Sequence, residues 1–244
     1  MFPRFALNMN NFEVRNGEVT IVGETKGTGP YVVCITGWAN NRDVWSGLSE
    51  NLCKDHQVTT WDLRGHGESG TPPPGNYERE EALKDISAVL DEVGRPCVLV
   101  GHSLGGYLSL AYALEKPDEV SALVLVASGP GFRKAEAREE WNESVRQAAM
   151  KLDLAEGAEE LSMHVDSYVI DHLDEVKAPT FLVLGERDKR FAASAAVFER
   201  YLDVKGTLIV PDTGHMVHVK AVSYTHLRAH ETVLDLVCRL LLEK

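Results

Sequence analysis

Long apolar runs are missing from this chain of 244 residues. No stretch approaches the roughly 20 consecutive apolar residues that a membrane-spanning helix needs. Met1-Phe2-Pro3-Arg4 opens no charged-then-apolar signal segment, so the expected location is cytoplasmic. Cysteine is scarce, with four residues and no C-x-x-C pair, which removes the common zinc and redox signatures. Cys34 and Cys97 fall in apolar stretches and Cys53 near a helix end, and they read as reduced core thiols. Positive charge is also short: 25 Lys and Arg against 37 Asp and Glu give a formal net charge of -12. Such a body repels nucleic-acid phosphates and anionic membrane surfaces. A small neutral molecule is the expected partner, with no nucleic acid, no membrane, no metal and no other cofactor. The sequence leaves monomer and homodimer equally open.

What is present is a regular alternation. Phe12–Val14 and Val19–Val22, joined through Asn16-Gly17, read as a hairpin. Apolar strands follow at Tyr31–Thr36, Val58–Trp61, Cys97–Val100, Ala122–Ala127, Thr180–Leu184 and Thr207–Val210. Between them lie helical patterns at Val44–Cys53, Glu80–Val93, Leu104–Glu115 and Ala192–Leu202. Strands that are apolar on both faces and alternate with helices imply a mostly parallel sheet flanked by helices. Its site lies at the carboxyl ends of the strands. From Gly129 to about Lys177 the strand pattern lapses, and Trp141, Val145, Ala148, Ala149 and Leu152 repeat at helical spacing. This stretch reads as a small helical lid inserted into an α/β core.

Gly101-His102-Ser103-Leu104-Gly105 fits G-x-S-x-G directly after an apolar strand. In that pattern a serine sits on a tight strand-to-helix turn, and small neighbours let its hydroxyl stand clear of the sheet. The helix beginning at Leu104 turns its unpaired amides and positive end toward the same space. Gly37-Trp38-Ala39-Asn40-Asn41 ends the preceding strand beside this turn, so the Trp38 amide is a candidate second donor for an oxyanion. A serine hydroxyl needs an imidazole to take its proton and a carboxylate to orient that imidazole. The chain supplies candidates in the order Ser, Asp, His: Gly185-Glu186-Arg187-Asp188 after one strand, and Pro211-Asp212-Thr213-Gly214-His215 after the last. Glu186 and Asp212 are the rival acids.

With the Asp62–Ser69 turn, G-H-S-L-G-G, the L-x-G-x-x-D after Leu182 and Gly214-His215, the chain resembles the α/β-hydrolase fold superfamily. The similarity runs from about Phe12 to Ala221 and is nearest the small lidded serine esterases and lactonases. It implies Ser103 as nucleophile, His215 as general base, Asp188 as its acid and the amides of Trp38 and Leu104 as the oxyanion hole. Trp38 and Trp141 are the candidate substrate-binding side chains. Thr36-Gly37 stands where the family usually has His-Gly. His66 is expected to bond locally, His102 and His218 to be structural, and His164 and His172 to face solvent.

The implied domains are a core of 1–128 and 178–221, a lid of 129–177, and a tail. Val222–Lys244 departs from the family pattern and resembles translated sequencing-adapter read-through, as in a metagenomic library, in place of a final helix. The expected activity is hydrolysis of carboxylic esters or lactones with small to medium acyl chains through an acyl-enzyme. A carbon-carbon bond hydrolase, a perhydrolase, an acyl-carrier methyl esterase and a menaquinone-pathway lyase would use the same residues, and an acidic carrier would seek Arg133, Lys134 and Arg138. A receptor or stress-signalling hydrolase with slow turnover is the reading from another class.

Overall fold

The computed structural model describes residues 9–219. The adapter-like segment 222–244, with its Cys238, His226 and His230, lies outside them.

Within the described residues the strands are β1 (Met9–Asn16), β2 (Val19–Lys26), β3 (Tyr31–Ile35), β4 (Gln57–Trp61), β5 (Cys97–His102), β6 (Val120–Val126), β7 (Thr180–Gly185) and β8 (Val204–Val210). They form one sheet in the order β1-β2-β4-β3-β5-β6-β7-β8. β3 through β8 pair in parallel, while β1 and β2 add an antiparallel edge whose tight turn pairs Asn16 with Val19. The helices are α1 (Ser46–Leu52), α2 (Arg79–Val93), α3 (Leu104–Glu115), α4 (Ala135–Ala149), α5 (Tyr168–Asp171) and α6 (Ala192–Tyr201). The alternation read from the sequence is therefore present, with a mostly parallel sheet between helices.

Period-two alternation divides the core. Val33 and Ile35 of β3 join α2 and α3 on one face, and Val32 and Cys34 join Trp45, Leu48 and Leu52 on the other. α3 is buried at every position from Leu104 to Ala113, which is why its sequence is apolar all round. Cys34, Cys53 and Cys97 are free and buried, and burial pushes the Cys97 thiol up to about 12. No helix among the described residues is long and apolar enough to cross a membrane.

Between β6 and β7 the chain forms α4, short 3-10 turns at 158–162 and 173–175, and α5. The helical stripe expected here is only partly right. Leu152 lies beyond α4 and is exposed, whereas Asn142 is buried beside Val145. The Asn142 side chain accepts the His164 N–H at 2.8 Å and donates to the His164 carbonyl at 2.9 Å. A polar group replaces an apolar one because it stitches α4 to the strap behind it.

A buried ion pair fixes α2 against the loop after β4. Arg64, 1% exposed, sends Nε and Nη2 to the two oxygens of Asp85 at 2.6 and 2.7 Å. Its Nη1 donates to the Asn76 carbonyl, and Asn16 of the hairpin donates to Asp85 at 2.9 Å. Removing one partner strands the other charge in the core. Asp85→Ala is therefore expected to lower stability by about 3–5 kcal/mol in urea unfolding; a loss under about 1 kcal/mol would contradict this role.

Candidate active site

Ser103 follows β5 directly at φ 51°, ψ -113°, a left-handed conformation that costs a non-glycine residue about 1–3 kcal/mol. It is sustained by backbone packed without side chains between. A Cβ on Gly101 would collide with the Gly105 carbonyl, and one on Gly105 with the Ile35 carbonyl. Ser128 Oγ donates to the Ser103 carbonyl at 2.8 Å, and the Ser103 amide bonds the Val126 carbonyl at 2.9 Å.

The loop after β3 lies against this turn. A Cβ on Gly37 would sit 3.3 Å from the Ser103 Cβ and 2.6 Å from His102 Nδ1. The amides of Trp38 and Leu104 make no hydrogen bond among the described residues, so both donors are available. Thr36, standing where the family usually has His, is fully buried with its hydroxyl unpartnered among them. The loop is held instead from His66, whose Nε2 accepts the Ala39 N–H at 3.1 Å while Nδ1 meets the Arg64 carbonyl at 2.9 Å. The carbonyl requires the proton on Nδ1, leaving Nε2 free to accept. Asp62 pins the loop's far end by accepting the Arg42 amide at 2.7 Å and pairing with the Arg42 guanidinium.

On the other side, Asp188 after β7 accepts a hydrogen bond from His215 Nδ1 at 2.8 Å, with the Asp188 side chain 4% and that of His215 40% exposed. This fixes the His215 tautomer and turns bare Nε2 outward. The two loops are joined by Arg187 N to Thr213 O at 2.8 Å and Glu186 N to Val210 O at 3.0 Å. The rival acids are otherwise engaged: Asp212 pairs with Arg187, and Glu186 accepts the Asp212 amide. Phe191 stacks on the His215 ring at 5.0 Å and 18°, and His102 Nε2 donates to the His215 carbonyl at 3.0 Å. The Ser103 hydroxyl makes no hydrogen bond among the described residues. Links of this kind commonly tighten only on substrate binding.

Ser103 and Leu104 open onto a cavity of about 330 Å³, whose walls include Tyr107, Phe132, Trp141 and Phe191. Trp141 lines it, its indole N–H donating to the Ser162 carbonyl at 2.7 Å. Trp38 does not line it, because its indole donates to the Ala158 carbonyl at 3.0 Å. His164 is not solvent-facing: it is half-buried in the cavity wall. His172 is half-buried as well, its Nδ1 bonded to the Tyr168 carbonyl. Sequence reasoning missed Tyr107, Phe191 and Arg190. Tyr107 lies four residues beyond Ser103 on the same helical face, a usable signal; Phe191 and Arg190 carry none beyond nearness to Asp188.

The alpha/beta hydrolase fold family profile matches residues 30–157, just over half the chain. The chain belongs to that family. A Bacillus subtilis protein assigned by name to 2-succinyl-6-hydroxy-2,4-cyclohexadiene-1-carboxylate synthase activity is 26% identical over 86% of this chain and 93% of its own. A pimeloyl-[acyl-carrier protein] methyl ester esterase of Nitrosospira multiformis is 33% identical over 55% of this chain, which spans about half (51%) of that relative. A thermophilic esterase of Thermogutta terrifontis has the same fold, at TM-score 0.80 and 21% identity over 96% of this chain and 98% of that one.

Burial lowers the pKa of four histidines in and around this α/β-hydrolase site: His66, His102, His164 to about 4 and His218 to about 3. The unfolded chain takes up protons near the ordinary 6.5, while the folded chain resists. The stability from burying these rings neutral is thus fully present above about pH 6.5 and falls as pH drops through the window down to about 3. At pH 5 each ring whose folded pKa lies well below 5 contributes a loss of at most about 2 kcal/mol. Urea midpoints are expected to fall steadily from pH 7 to pH 5; a flat profile would contradict the neutral, buried state of these rings.

Proposed function

We propose that the protein is a serine hydrolase that cleaves carboxylic esters or lactones of small to medium acyl chains. The observation that carries this reading is the strained Ser103 at the amino end of α3, opening onto a cavity whose Phe191 wall stacks on the His215 ring of the hydrogen-bonded Asp188–His215 pair. In this mechanism His215 Nε2 takes the Ser103 proton as Oγ attacks the acyl carbon, and Asp188 stabilises the imidazolium. The amides of Trp38 and Leu104 receive the oxyanion, a contribution commonly of about 10²–10³ per donor in turnover. His215 then protonates the leaving alcohol, and water repeats the sequence on the acyl-enzyme. Segment 129–177 acts as the lid, with α4 supplying the Trp141 wall. The esterase relative of Nitrosospira multiformis supports this assignment.

The Bacillus subtilis relative, aligned along nearly its whole length, favours a second reading, the lyase, in which the same site serves the synthesis of a cyclohexadiene carboxylate instead of ester hydrolysis. A methyl ester on an acidic carrier protein receives less support. Arg133 is paired with Asp171, and Arg138 donates to the carbonyls of Phe132 and Arg133, so two of the three basic residues at the lid's start are engaged internally.

The readings separate on 4-nitrophenyl butyrate with intact-mass analysis. The wild type is expected to release a burst of nitrophenol near one equivalent, gain a butyryl group on Ser103 and then turn over steadily. Ser103→Ala is expected to lose at least about 10³-fold in rate. Turnover by Ser103→Ala would refute the nucleophile, and an inert wild type without acylation would favour the lyase reading.

A further inference from the structure

One wall of the Ser103 cavity is an imidazole that the hydrolytic mechanism does not use. Tyr107 meets the His164 ring edge-on at 4.6 Å and 86°, Phe132 does so at 5.4 Å and 80°, and Trp141 lies 6.0 Å away. The Nδ1 edge lies beneath Gly131, where a Cβ would sit 3.4 Å away. Nδ1 is buried with no partner, and Nε2 makes no hydrogen bond, among the described residues. The backbone carrying the ring is clamped in both directions by Asn142. Burial lowers its pKa to about 4, so near neutrality the ring offers one N–H donor and one bare nitrogen.

A phenyl ring would make the same edge contacts without the penalty of unpaired polar atoms in an apolar wall. The imidazole adds only hydrogen-bonding capacity, and since Nδ1 is closed off beneath Gly131, Nε2 is the nitrogen that a ligand in the cavity would reach. Charge does not select an ion here, because exposed Glu140 and Arg190 both line the cavity with opposite signs and form no salt bridge among the described residues. A cavity of about 330 Å³ is at the small end for ligand sites, which commonly span about 300–1,000 Å³, and suits a short chain.

We propose that His164 is a specificity-determining residue that hydrogen-bonds an uncharged hydroxyl or keto substituent on a short acyl chain. This rests on Ser103 being the acylated nucleophile, since that places the acyl chain in the cavity. A site built to bond such a group discriminates against the plain alkyl analogue because its own polar atoms are then left unpaired.

The test compares 4-nitrophenyl 4-oxopentanoate with 4-nitrophenyl pentanoate on the wild type, His164→Phe and His164→Gln. The wild-type kcat/KM ratio is expected to favour the oxo ester roughly tenfold. It should fall to about one in His164→Phe and lie between in His164→Gln, which keeps an amide. A wild-type ratio near one, or an unchanged ratio in either variant, overturns the proposal. A second arm needs no chemistry. Ser103→Ala is titrated with methyl 4-oxopentanoate and methyl pentanoate, read by tryptophan fluorescence, with and without His164→Gln. A preference for the oxo ester that weakens with His164→Gln supports the role of His164, and equal binding overturns it. If esters are neither turned over nor trapped on Ser103, the hydrolase reading fails while this binding comparison still decides the pocket.

Discussion

Ser103 can hold its positive φ only while three pieces of backbone are pressed together behind it: the end of β3, the end of β5 and the first turn of α3. That packing sets the rest of the site. It brings the Thr36–Trp38 loop within van der Waals reach of Ser103. It also commits α3 to the centre of the molecule, buried almost throughout. The local penalty is absorbed by a large apolar core.

Both flanks of the turn are held by polar contacts rather than by the sheet alone. His66 and Asp62 anchor the loop after β3, and backbone bonds between the loops after β7 and β8 carry Asp188 and His215 as a unit. His102 joins the two sides. Its ring abuts Gly37 and contacts those of His215 and His218, and its Nε2 reaches the His215 carbonyl. In the proposed mechanism these contacts keep the reacting groups in register, where misplacement by about 1 Å can cost 10²-fold in rate.

The sheet, its helices and the Ser103 turn were legible because each rests on local pattern. Strands covered on both faces are uniformly apolar, and the nucleophile turn demands small residues at fixed spacing. The resemblance points to Asp188 over Glu186 and Asp212, and Asp188 is the carboxylate that accepts from His215 Nδ1. The segment between β6 and β7 was read less well because its pattern answers to distant partners. Asn142 is buried to serve the His164 backbone, and His164 is drawn inward by Tyr107, Phe132 and Trp141. Neither contact leaves a period in the sequence. Trp38 was expected in the cavity for its place beside Ser103, yet its indole is turned away by the Ala158 carbonyl.

The central claim is that Ser103, alone among the serines near the cavity, is activated by its surroundings. Labelling with a fluorophosphonate followed by peptide mapping tests this most directly, because only an activated serine attacks the phosphorus. The account predicts a single phosphonylated peptide bearing the label on Ser103, and no labelling once His215 is replaced by alanine. Label on Ser128, Ser144 or Ser194 with Ser103 untouched, or equal labelling after His215→Ala, would contradict it.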